Sequence, residues 1–223
     1  MALFDRLKAA RADDWSAYVD HEFVRRLGAG TLPEAAFRTY LVQDYLFLIQ
    51  FARAYALAVF KGRTLAEMRS AHRGVSAILD TEMDLHVAFC ASWGIDEAEM
   101  ERAPEARATT AYTRFVIDTG LRGDLLDLHT ALSPCVIGYA EIARRLAATP
   151  EGAHAGNPYA AWIMEYAGDA YGEVAAHAVA RLDALGEDLL TERRFEQLAD
   201  VFAQACRLEA DFWQMGLDGA EMP

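Results

Sequence analysis

Apolar positions along this chain recur every three to four residues, and polar or turn-forming residues punctuate the runs. Residues 5–29 place Trp15, Tyr18, Val19, Phe23, Val24 and Leu27 at helical spacing and stop at Gly28-Ala29-Gly30. Thr31-Leu32-Pro33-Glu34 reads as a capping box with Pro in the first turn, opening a helix to Lys61. Thr64-Leu65-Ala66-Glu67 repeats the signal for a helix to about Trp93, with Gly94 behind it. Asp96 and Glu99 begin a short helix that Pro104 ends, and a further one runs from Thr109 through Tyr112, Phe115 and Val116 to Gly120. Asp124 caps a long helix that stops before Pro150, and residues 149–156 form the clearest loop. Asn157-Pro158 then opens a short helix through Trp162 and Tyr166 to Gly168. A helix from Asp169 to Gly186 and a last one, capped by Thr191 and reaching about Met215, complete the chain. No run of alternating β-branched residues competes with these assignments. The pattern predicts an all-α, bundle-like fold of about eight helices, with residues 1–223 forming a single domain. There is no internal repeat and no linker long enough to divide it.

Composition narrows the function. A chain with 53% hydrophobic and 25% charged residues is that of an ordinary globular protein, and its 223 residues suffice for one substantial core. The net charge of −13, without any clustered Lys or Arg, argues against a nucleic-acid surface and points to small molecules as partners. The N-terminus has an acid at Asp5 and lacks an apolar core of about 7 to 15 residues, so it does not read as a signal peptide. The most apolar run, Tyr45 to Phe60, is broken by Gln50 and Arg53, so no membrane span is expected. A cytoplasmic location follows as the expectation. Cys90, Cys135 and Cys206 make an odd count without metal-type spacing, which fits free thiols.

Three stretches carry candidate chemistry. In Ser133-Pro134-Cys135-Val136-Ile137-Gly138-Tyr139, the thiol and phenol lie four residues apart and share one helical face. Pro134 either opens a helix, with Ser133 as its cap, or kinks a longer one. The upstream spacing of Leu125, Leu128 and Leu132 favours the kinked helix. The bland alternative is a buried Cys beside a core Tyr. Asp44, in the most apolar helix, edges the stripe of Gln43, Phe47 and Gln50, so it enters the interior and needs a donor there, either a ligand or a structural cation such as Arg53. Glu209 adjoins the stripe of Leu208, Phe212 and Met215, where burial would raise its pKa into the range useful for giving and taking a proton. A bare helical glutamate is more often solvated.

A metal site is not expected. Glu82 with His86, and Glu173 with His177, stand at i,i+4 and read as ordinary helical pairs, with His86 orienting a polar network. The i,i+3 Glu-x-x-His spacing of di-iron bundles occurs only at Glu151 and His154, in a loop. Gly28-Ala29-Gly30 lacks a preceding strand and is no nucleotide loop.

Together, His21-Glu22-Phe23-Val24, Gly30-Thr31-Leu32-Pro33 with Phe37, Tyr40-Leu41-Val42-Gln43-Asp44-Tyr45 with Phe51-Ala52-Arg53, Pro134-Cys135 with Tyr139, and Glu209 with Phe212-Trp213 resemble the TenA/thiaminase II family, in order, from about residue 5 to 216. The resemblance implies a haem-oxygenase-like helical fold with no haem or other cofactor, usually a homotetramer. It implies hydrolysis of 4-amino-5-aminomethyl-2-methylpyrimidine to the hydroxymethyl pyrimidine in thiamin salvage, with slower cleavage of thiamin. The family's nucleophile falls on Cys135, its acid/base on Glu209, and its aminopyrimidine-binding carboxylate on Asp44. Its aromatic walls fall on Phe47, Tyr112, Tyr139 and Tyr166. Phe47 is Tyr in some relatives, so that hydroxyl's hydrogen bond is absent here. The competing expectation is a catalytically silent pyrimidine-binding or regulatory protein of the same fold.

Overall fold

At Thr64 the side chain accepts from the Glu67 N–H while the Glu67 carboxylate accepts from the Thr64 N–H, the reciprocal box that the sequence predicts. Such local chemistry sets many of the helix ends in the computed structural model, which describes residues 2–220. In chain order the helices are α1 (Leu3–Ala10), α2 (Ala12–Val19), α3 (Glu22–Gly28), α4 (Glu34–Lys61), α5 (Leu65–Ala77), α6 (Met83–Ser92), α7 (Glu97–Arg102), α8 (Arg107–Arg122), α9 (Leu125–Ala147), α10 (Ala160–Ala167), α11 (Asp169–Leu189) and α12 (Glu192–Gly219). A π-helical segment, Ile78–Glu82, joins α5 to α6. No strand occurs among the described residues. Asp96 caps α7, Asp124 accepts from the N–H groups of Leu126 and Asp127 at the start of α9, and Thr191 accepts from Arg194 at the start of α12. Gly94, at φ +69°, ends α6 in the left-handed conformation that glycine adopts without strain.

Several boundaries differ from the expectation. Residues 5–29 are not one helix but α1, α2 and α3. The bend at Arg11 brings Phe4 and Trp15 edge to face, with centroids 5.4 Å apart, and sets both against Phe202. The second break arises because His21 Nδ1 accepts from the Phe23 N–H, a cap from a residue type that does not announce one. Helix α4 begins at Glu34, not inside the Thr31–Glu34 box, since the N–H groups of Thr31 and Leu32 donate back to the Arg26 carbonyl. Asn157 does not start α10 directly. Its amide nitrogen ties to the carbonyls of Leu27 and Gly28 at the end of α3, and its Oδ1 accepts from the Tyr159 N–H.

The contacts group the chain into two compact units. One contains the segment up to Pro33 together with His129–Gln214; the other contains Glu34–Leu128 and the chain from Met215. The core of the first is aromatic: Trp15 stacks on Phe202 at 5.7 Å, and Phe23 stacks on Trp213 at 4.9 Å. In the second, α4 packs against α5, α6, α7 and α8. Gln43 links α4 to the entry of α8, donating to the Pro104 carbonyl at 3.0 Å and accepting from the Ala106 N–H and the Thr109 hydroxyl at 2.8 and 2.6 Å. No described helix is long and apolar enough to cross a membrane.

Candidate active site

In the first unit the site residues lie on α9, α10 and α12. Pro134 is inside α9, so it belongs to a longer helix that starts upstream, as the Leu125, Leu128 and Leu132 spacing favours, and Ser133 is not an N-cap. The missing Pro134 N–H leaves the Thr130 carbonyl short of its helical donor, and the Ser133 hydroxyl donates there at 2.9 Å. One turn on, the Pro134 carbonyl accepts from the Tyr18 hydroxyl at 3.3 Å. Gly138 makes that approach possible, because a Cβ there would stand 2.4 Å from the Tyr18 ring. Two carbonyls of the backbone leading into Cys135 are thus held by hydroxyl donors.

Cys135 and Tyr139 occupy successive turns of one face of α9. Of the three thiols, Cys90 and Cys206 are fully buried, whereas Cys135 keeps part of its surface open. Burial pushes the Cys90 thiol up to about 12, and burial followed by the Glu209 charge raises Cys206, so neither supplies thiolate near neutral pH. Tyr139 is enclosed by Trp162 at 5.8 Å, Tyr166 at 5.2 Å and Trp213 at 5.3 Å. Glu209, one turn before Trp213 on α12, is 1% exposed, so it is the buried carboxyl of the stripe and not a solvated one. The structure therefore brings Tyr139 and Tyr166 together in an aromatic wall. Tyr166 closes it, half-buried and edge-on to Tyr171 at 4.8 Å.

In the second unit, α4 supplies Asp44 and Phe47, and α8 supplies Tyr112. Phe47 lies 5.2 Å from Tyr112 and stacks on Phe51 at 5.5 Å. Asp44 is 6% exposed and enters the interior as expected, but Arg53 is not its partner: that guanidinium is exposed and donates to Gln50 at 2.9 Å. Instead the Tyr40 hydroxyl donates to Asp44 Oδ2 at 3.3 Å, and His86 Nδ1 stands 3.5 Å from the same oxygen. Burial outweighs the Tyr40 bond and pushes Asp44 up to about 7.

The expected Glu82–His86 and Glu173–His177 pairs are absent among the described residues. His86 turns to the Leu41 carbonyl at 2.9 Å and to Asp44, and burial lowers its pKa. Glu82, at the end of the π segment, is pushed up to about 7 by burial and then by the Asp44 charge. Sequence reasoning overlooked Glu82 as a neighbour of Asp44, since nothing local signals a π turn. Tyr40 was within reach, one helical turn before Asp44.

Residues 9–219 match the TENA/THI-4/PQQC family. An uncharacterized protein of Haemophilus influenzae is 41% identical over 208 residues, covering 92% of this chain and 94% of its own. The aminopyrimidine aminohydrolase of Halalkalibacterium halodurans is 37% identical over 201 residues, covering 90% and 89%. The crystal structure of a TenA family transcription regulator from Silicibacter sp. TM1040 superposes with a TM-score of 0.90 at 43% identity, over 96% of each chain. A domain with a heme oxygenase-like fold from Shewanella denitrificans shares the architecture alone, at 13% identity, a TM-score of 0.71 and coverage of 96% and 92%.

Proposed function

The chain belongs to the TENA/THI-4/PQQC family, and on that premise we propose that it is an aminopyrimidine aminohydrolase of the thiaminase II type, acting in thiamin salvage. Its reaction is hydrolysis of 4-amino-5-aminomethyl-2-methylpyrimidine to the 5-hydroxymethyl compound and ammonia, with thiamin as a slower substrate. The observation that carries this reading is that, of three thiols, only Cys135 retains open surface, beside the aromatic wall of Tyr139 and Tyr166. The likeness to an aminopyrimidine aminohydrolase over nearly the whole chain supports it.

The residue types suit the chemistry. An amine on a methylene attached to an aromatic ring departs poorly. Addition of the Cys135 thiolate to ring C6 breaks aromaticity and lets the ring electrons expel ammonia, and water then adds to the exocyclic alkene. Thiolate is a strong nucleophile and leaves well when aromaticity returns. Glu209 gives a proton to the departing nitrogen and takes one from the incoming water. Asp44 binds the amino group and adjacent ring nitrogen, while Phe47, Tyr112, Tyr139 and Tyr166 stack on the ring and exclude water. The protein works in the cytoplasm as a homotetramer without metal or cofactor.

The test incubates purified protein separately with the aminomethyl pyrimidine and with thiamin while following hydroxymethyl pyrimidine and ammonia. Release from either supports the hydrolase. Tight pyrimidine binding without turnover favours a silent or regulatory protein, and the Silicibacter relative is described as a transcription regulator; the net charge of −13 weighs against DNA as a target of this chain.

A further inference from the structure

Helices α5 and α6 form one rod, because Ala77, Ile78, Glu82 and Met83, at the two ends of the π segment, all keep right-handed helical angles. The inner side of the rod carries Ala71, Ile78, His86 and Cys90, all buried, and Gly74, whose Cβ would stand 2.4 Å from the Tyr55 ring of α4. Beside it runs a second apolar row. Leu65, Met68, Val75 and Leu79 fall within about a quarter of the helix circumference, and Met83 and Val87 continue the row at four-residue steps. Such steps drift round an unbroken α-helix, and the wider π turn takes up part of that drift. Leu65 is 60% exposed, Met68 40% and Leu79 48%, and the other three are half-buried. Single exposed leucines are ordinary, but a continuous row about 33 Å long is a surface made to be covered.

The border of the row says what covers it. Arg69 and Arg73 stand along the α5 half, and Asp80 and Asp84 along the half beyond; all four are exposed, and none has an ion-pair partner among the described residues. A two-fold axis beside Ser76 lays the rod antiparallel on its own copy. Arg73 then comes level with the partner's Asp80, Arg69 with the partner's Asp84, Met68 with the partner's Met83 and Leu65 with the partner's Val87. One axis satisfies all four pairs, whereas a parallel alignment sets like charge against like. We propose that this face of α5 and α6 is a two-fold interface with a second copy of the chain, paired antiparallel about Ser76. In such an interface one patch meets itself, so a single rod must carry both halves of every pair, as this one does. Copies with a net charge of −13 repel one another, which favours contact at a face whose charges balance. The proposal rests on the homotetramer reading and names one of its faces.

The experiment measures mass by light scattering at micromolar protein and low salt, where charge on the border is least screened. One variant combines Asp80→Arg with Asp84→Arg and makes the border wholly basic. The other combines Arg69→Asp with Arg73→Asp and makes it wholly acidic. Each alone should show half the parent's mass, and an equimolar mixture should regain it, because the basic border of one meets the acidic border of the other. Leu79→Glu, which puts charge into the apolar row itself, should halve the mass as well. A tetrameric parent whose variants all stay tetrameric overturns this face and leaves the homotetramer standing; the face then serves a different protein or none. Variants that dissociate but regain no mass on mixing also overturn it. A dimeric parent that the variants split and mixing restores sustains the face and sinks the homotetramer, and a monomeric parent sinks both. Far-UV circular dichroism checks that the helices persist. If the charge variants do not fold, Ser76→Cys in a Cys135→Ala background decides: copies paired about Ser76 link through a short bis-maleimide into covalent dimers, and absence of that link overturns the proposal.

Discussion

Replacing Asp44 by Asn should stabilise the protein in alkali and leave it little changed in acid. The carboxyl is pushed up from 3.8 to about 7 because burial, at 6% exposure, penalises its charge more than the Tyr40 hydroxyl relieves it. A raised folded-state pKa means that the native protein holds the proton longer than the unfolded chain does. Its contribution is fully present below about pH 4 and is lost as the pH climbs to about 7, at about 1.4 kcal/mol per unit. Between pH 5 and pH 8 the parent should lose about 3 kcal/mol through this one group. Asn cannot ionise, and its amide nitrogen in the place of Oδ2 can donate to the Tyr40 oxygen, so the variant escapes the loss. Removing the Asp44 charge also relaxes Glu82, which adds to the effect in the same direction. Urea unfolding of both proteins at pH 5, 6, 7 and 8 gives the difference directly, provided the m-values agree. A stability difference that stays constant across this range would show that Asp44 is ionised throughout, and that its placement in a desolvated interior is wrong.

Cys135→Ala should abolish turnover of the aminomethyl pyrimidine while product binding persists, and Cys206→Ala should retain activity; substantial turnover by the Cys135 variant removes the covalent route. Gly138→Ala should destabilise by about 1 to 3 kcal/mol in urea despite alanine's better helix propensity, because the new methyl forces Tyr18 off the Pro134 carbonyl and its stack on Trp213. Light scattering at micromolar concentration should report a homotetramer, and a monomer would contradict that assembly.

Local chemistry was legible where a few consecutive residues decide the outcome. The caps at Thr64, Asp96, Asp124 and Thr191 each satisfy free N–H groups within three residues, so spacing alone finds them. The breaks at Arg11 and His21 were not, because the first is set by Phe202 far along the chain and the second by an imidazole acting as a cap. The same division runs through the site. The stripe around Gln43 and Phe47 places Asp44 inside, but besides Tyr40 its neighbours are Glu82 and His86, brought in by a π segment that the sequence does not mark and by α6 behind it. That is why Glu82 and His86 looked like a helical pair and are instead two groups facing a third.

An acid kept only for structure would be expected to bring a cation with it, because an ion pair offsets part of the cost of burying charge. Among the described residues Asp44 has none: Arg53 goes to Gln50, and the carboxyl meets a phenol, an imidazole with its donor spent on Leu41, and a second acid. Packing does not require this arrangement, since an apolar side chain between Tyr40 and Phe47 would remove the pH-dependent loss altogether. Carboxyls retained at such a cost cluster where proteins bind or transform ligands. On the proposed reading, Oδ1, which no described residue hydrogen-bonds, is the oxygen left for the amino donor of a planar ring.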